Sequence, residues 1–98
     1  MWILQSADAE QPVTLRVVPG TTRTVGRAPV ADYVLDAALV SRLHCRLEAG
    51  VDNLEVVDLA STNGTYVNDK RVDRARLKSG DRLRIGRVEL KVERAMNA

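Results

Sequence analysis

The chain is poor in the residues that hold metals, staple small folds or stack on bases. It has one cysteine, Cys45, and one histidine, His44, in 98 residues. A single cysteine excludes an internal disulfide, and with a single histidine it excludes a Cys/His metal cluster. A reduced, cytoplasmic setting is the expectation. There is no phenylalanine, and Trp2, Tyr33 and Tyr66 are the only aromatic residues. A single-strand nucleic-acid binder needs stacking platforms along a cationic groove, so nucleic acid is not an expected partner. A strong charge of one sign is missing too: 15 Lys and Arg against 13 Asp and Glu leave a formal net charge of +2. No apolar run approaches the ~20 residues of a membrane-spanning helix, so no membrane contact is expected. Residues 1–6 are apolar but too short for a signal peptide, and they lack its basic start.

What the chain does have is alternation. Val13, Leu15 and Val17 alternate with Thr14 and Arg16, the period of a half-buried strand. In 88–93, Val88, Leu90 and Val92 face one way and Glu89, Lys91 and Glu93 the other. In 44–48, Cys45 and Leu47 take the apolar face while His44, Arg46 and Glu48 take the polar one. Further short strands are predicted at 1–6, 22–25, 33–35, 54–58, 65–67, 70–72 and 81–85. Asn68-Asp69 suits a tight hairpin, because both residues tolerate the left-handed backbone region. The basic stretch 70–78, interrupted by Asp69 and Asp73, reads after its first residues as a solvated loop. No window of helical length shows a 3.6-residue period. Many short strands and frequent turn signals predict an all-β sandwich or barrel, one domain spanning 1–98 with a core at about 2–93 and a tail at 94–98.

Three polar, glycine-marked stretches interrupt the strands: Gly26-Arg27, Ser41-Arg42-Leu43-His44, and Ser61-Thr62-Asn63-Gly64-Thr65. A hydrolytic reading of Ser41 and His44 needs a carboxylate to orient the base and a strand-turn-helix elbow for the serine, and no elbow is present. His44 and Cys45 are neighbours in an extended segment and point apart, so they make no dyad. The expectation is therefore not an enzyme, with no metal and no cofactor. As a binding site the pieces fit together. Arg27 offers a bidentate fork, Ser41 and Thr62 offer hydroxyls, and the Ser41–Arg42 backbone offers N–H groups, all suited to phosphate oxygens. Asn63 donates and accepts at once, which suits gripping a peptide main chain. His44 reads as a brace for its loop. Each motif alone has a blander meaning, a turn or a capped loop; order and spacing are what join them.

In that order and spacing the chain resembles the forkhead-associated (FHA) domain, a phosphothreonine-peptide binding module. The family pattern of Gly-Arg, Ser-x-x-His and Asn-Gly appears as Gly26-Arg27, Ser41 to His44, and Asn63-Gly64. The flanks 58–68 and 77–86 resemble it as well. The resemblance implies a two-sheet antiparallel β-sandwich of about eleven short strands, with the ligand lying across loops at one end. It implies phosphate contacts from Arg27, Ser41, Arg42 and Thr62, a peptide main-chain contact from Asn63, and loop-shaping roles for Gly26, His44 and Gly64. Some relatives carry a basic residue where this chain has Leu39, a position that bears on specificity, and an apolar preference is expected here. The expected partner is a protein carrying phosphothreonine, the product of a Ser/Thr kinase. The alternative is a sandwich of the same kind that binds an unmodified protein surface or self-associates.

Overall fold

A computed structural model describes residues 1–6 and 12–95 of the chain. Eleven strands form two sheets. In chain order they are β1 (Trp2–Ser6), β2 (Thr14–Val17), β3 (Thr22–Gly26), β4 (Tyr33–Val34), β5 (Cys45–Ala49), β6 (Leu54–Asp58), β7 (Thr65–Val67), β8 (Lys70–Val72), β9 (Arg74–Leu77), β10 (Arg82–Ile85) and β11 (Val88–Arg94). The six-stranded sheet runs β2-β1-β11-β10-β7-β8 and the five-stranded sheet β4-β3-β5-β6-β9. All pairings are antiparallel except β3 with β4, where Val25 meets Tyr33 and Gly26 meets Val34 in parallel. No helix is long and apolar enough to cross a membrane.

The core lies between the sheets. Leu4, Val17, Leu83, Ile85, Leu90 and Val92 enter it from one side; Val25, Cys45, Leu47, Leu54 and Val56 enter from the other, and each is fully buried. Full burial of one such aliphatic side chain stabilises by roughly 1.5–3 kcal/mol, so the alternation sets which way each strand faces. Every outward slip by one residue would put that whole set in water. Burial also pushes the Cys45 thiol up to about 12, with the Asp58 carboxylate adding to the shift. Asn68 and Asp69, the hairpin pair between β7 and β8, both take positive φ, at 50° and 68°.

Three expectations change. The stretch predicted as a solvated loop contains β9, whose Leu54↔Leu77 and Val56↔Ala75 pairings extend the five-stranded sheet. Its arginines point outward, and Arg74 pairs with Glu48 and Glu55 across the sheet. His44 does not share a polar face with Arg46 and Glu48. It precedes β5 and is completely buried, its main chain held between Val25 O and Leu59 N. The last strand continues through Arg94, one residue into the expected tail, and the Ala95 N–H donates to Met1 O at 2.8 Å. Residues 96–98, the rest of that tail, and most of the loop expected after Ser6 lie outside the described residues.

Candidate functional site

The β3–β4, β4–β5 and β6–β7 connections meet at one end of the sandwich, and main-chain atoms hold them together. The Arg27 N–H donates to Ser41 O at 2.9 Å and the Ala28 N–H to Arg42 O at 3.1 Å. Gly26 makes this approach possible: a Cβ there would lie 2.1 Å from Arg42 O. Arg27 Nε donates to Val40 O at 3.1 Å, and Asn63 Nδ2 donates to Leu39 O at 3.2 Å. Leu39 itself has φ of 70°, a backbone region that a branched side chain rarely adopts. Its main chain also packs on Gly86 in the β10–β11 turn, where a Cβ would come within 2.8 Å of the Leu39 carbonyl carbon.

His44 ties two of the loops from below. Its Nδ1 accepts the Ser41 N–H at 3.0 Å, and its Nε2 lies 2.8 Å from Gly64 O. A backbone N–H can only donate, so Nδ1 must be the bare nitrogen and Nε2–H the donor to Gly64. The ring is thereby the Nε2–H tautomer, with both nitrogens occupied. Neither reaches the Ser41 hydroxyl, whose oxygen accepts the Thr62 N–H at 3.1 Å. Ser41 and His44 therefore do not form a nucleophile–base pair.

A second bracket, which the sequence reading missed, sets the β6–β7 loop. Asp58 Oδ1 accepts from the Ser61 hydroxyl at 2.5 Å and the Thr65 hydroxyl at 2.8 Å, and Oδ2 accepts the Ser61 N–H at 3.2 Å. Ser61 Oγ in turn accepts the Gly64 N–H at 3.0 Å. Desolvation alone would raise the Asp58 carboxyl; the bonds from Ser61 and Thr65 outweigh it and hold the group below the usual carboxylate range. Part of the signal was available: an Asp followed three residues on by a hydroxyl suits a side-chain-closed turn, whereas the bond to Thr65, seven residues on, has no such local spacing. Gly64 follows with φ of 88°, in the left-handed region that glycine enters without strain.

The loops enclose an open cleft of about 530 Å³ whose lining includes Arg27, Asp36, Leu39, Ser41, Thr62 and Asn63. Arg42 is exposed beside it and is not among the lining residues. The Ser41 N–H is spent on His44, so the pair of backbone donors expected from Ser41 and Arg42 is not available as a pair. What the cleft offers is the outer face of the Arg27 guanidinium, the Ser41 and Thr62 hydroxyls, and the Asn63 side chain beyond its one bond to Leu39. Among the described residues no group of three His, Cys, Asp or Glu could hold a metal ion.

A family model described as FHA domain matches residues 23–86, a span that contains all three loops. The chain belongs to the FHA domain family. The match begins in β3 and ends at Gly86, so it takes in every residue that touches the cleft. The FHA domain of the CT664 protein from Chlamydia trachomatis superposes with a TM-score of 0.90 at 24% identity, covering 97% of this chain and 98% of that one. At that identity the likeness shows the fold alone. A structure from a study of phosphothreonine-dependent FHA domain interactions is 32% identical, with a TM-score of 0.84 over 98% of each chain. The glycogen accumulation regulator GarA of Mycolicibacterium smegmatis is 48% identical over 71 residues, 70% of this chain and 44% of that protein. The chain thus spans less than half the length of that curated relative.

Proposed function

We propose that this FHA domain is a phosphothreonine-dependent binding module, an adaptor that recognises segments of other proteins phosphorylated by Ser/Thr kinases. The observation that carries the reading is the convergence of Arg27, Ser41 and Thr62 on one cleft, with Asn63 at its edge. An arginine fork and two hydroxyls suit a phosphate dianion. Arg27 binds it bidentately, Ser41 and Thr62 donate hydroxyl hydrogen bonds, and Arg42 adds charge from the rim. Asn63, at the lip, grips the ligand main chain. Gly26, His44 and Gly64 shape the loops, and Leu39, exposed on the wall, meets a ligand side chain on its apolar face.

The module is not an enzyme in this reading, because the one histidine is committed to two backbone groups and activates no nucleophile. It uses no cofactor. Residues 1–98 form one domain, and a free, buried Cys45 fits a reduced, cytoplasmic setting. The test is calorimetry with paired peptides that differ only in phosphorylation. The phosphothreonine peptide should bind and its unphosphorylated twin should not. Losing one partner of a desolvated charge pair costs ~2–5 kcal/mol. Arg27→Ala should therefore weaken binding roughly 30-fold to several thousandfold, at 1.4 kcal/mol per tenfold, in a protein that still folds. Near-normal affinity in that variant would sink the site assignment.

A further inference from the structure

Arg71 stands one step beyond the cleft. It lies on β8, the edge strand of the six-stranded sheet, directly opposite Tyr66. Its guanidinium folds back over Gly64: a Cβ on that glycine would lie 2.8 Å from Arg71 Nε and 3.1 Å from Cζ. The cation therefore sits against the residue that follows Asn63. Five other arginines on the sheet faces are already engaged. Arg84 stacks on the Tyr66 ring at 4.4 Å and pairs with Asp69, and Arg46, Arg74, Arg82 and Arg94 each meet a carboxylate. Arg71 is exposed and meets no carboxylate among the described residues. The cleft's own lining has one acid, Asp36, which belongs with Leu39 to the β4–β5 connection and not to the Thr62-Asn63 loop.

We propose that Arg71 forms a second subsite, for an acidic side chain two or three residues away from the phosphothreonine along the bound segment. This rests on the phosphothreonine reading and deepens it. From Thr62 to Gly64 the loop spans at most ~7 Å, and an extended ligand advances ~3.3 Å per residue. A main chain anchored at Asn63 therefore brings a side chain at that separation over Gly64 and its guanidinium. Asp36 repels an acid beside the β4–β5 connection, so the two charges give the ligand one favoured direction. Leu39 and Arg71 then read different residues of the same segment.

The test uses phosphothreonine peptides with Ala, Glu or Lys at the second and third positions on either side of the phosphothreonine, titrated at low salt. Glu at one of these positions should strengthen binding about twofold to fivefold, the size of an exposed ion pair. The gain should shrink as salt is raised. Arg71→Gln should erase it, Arg71→Glu should transfer the preference to Lys, and Arg71→Lys should retain it. Arg76→Ala, a change on the other sheet, should leave it intact. Equal binding of all the peptides, or a preference that survives in Arg71→Gln, overturns the subsite while the phosphate site stands. So does a preference lost equally in Arg76→Ala, since net charge alone would then explain it. If phosphorylated and unphosphorylated peptides bind alike, the phosphothreonine reading itself falls, and the subsite with it.

Discussion

Replacing His44 with alanine tests the brace at its root. The change removes the acceptor of the Ser41 N–H and the donor to Gly64 O. Gly64 is buried, and a buried polar group left without a partner costs ~1–3 kcal/mol. Ser41 is half-buried, so water reaches its N–H in part, and the loss there is nearer the net value of one hydrogen bond, ~0.5–1.5 kcal/mol. Together these come to about 1.5–4.5 kcal/mol before any cavity cost. A domain of this size loses about 4–8 °C of melting temperature per kcal/mol. The midpoint should fall by at least about 6 °C, and by over 20 °C if the site cannot collapse. Thermal melts followed by circular dichroism read this directly, and peptide affinity should fall with it because the Leu39–Ser41 wall loosens. A melting point within a degree or two of the parent would refute the brace. Lost affinity at unchanged stability would instead place His44 against the ligand.

Other expectations follow from the same geometry. Nitrogen chemical shifts of the imidazole should report the Nε2–H tautomer; the Nδ1–H form would break the assignment of both bonds. Cys45 should resist thiol reagents in the native state and react only on unfolding, since its thiol is buried and pushed up to about 12; rapid native labelling would contradict that burial. Asp58 has a lowered folded-state pKa, so its contribution is present above the unfolded value of ~3.9 and is lost as pH falls through the folded one. Melting temperature should therefore drop on acidification below about pH 4, and Asp58→Asn should flatten that drop; identical slopes would count against the bracket. Phosphothreonine should be preferred over phosphoserine by about 10-fold to 150-fold if an apolar dent between the Ser41 and Thr62 loops receives the methyl group, and equal affinities would show that no such dent operates.

Strands with full alternation were legible because one face of each had to be apolar. Cys45 and Leu47 in β5 and Val88, Leu90 and Val92 in β11 announce themselves in that way. β9 did not, because Arg74-Ala-Arg-Leu77 carries one large apolar residue, and its outward arginines look like a solvated run until Glu48 and Glu55 are placed beside Arg74. The three loops were legible as polar and glycine-marked. Their bonding was not, because it runs through main-chain carbonyls: Leu39 O, Val40 O, Ser41 O and Arg42 O accept the contacts that close the site. Carbonyls are common to every residue and leave no mark in a sequence. The burial of His44 has the same origin, since alternation places a side chain relative to its own strand and says nothing of a loop that folds over it. The parallel β3–β4 pair escaped notice because its partners are separated by a short loop that ordinarily signals a hairpin.

A wall held by its carbonyls has side chains to spare. Asp36, Ala38 and Leu39 are exposed, while the wall they stand on is fastened through its carbonyls, which no substitution at these three positions removes. Recognition at this rim is thus separable from architecture: the lettering can be changed without moving the page it is written on. Residues compatible with the left-handed backbone at position 39, asparagine or glycine among them, would relax the strain there while altering what the ligand meets. A lineage, or a library, can drift at these three positions and acquire new partners while Arg27 and Ser41, the proposed phosphate contacts, keep their places.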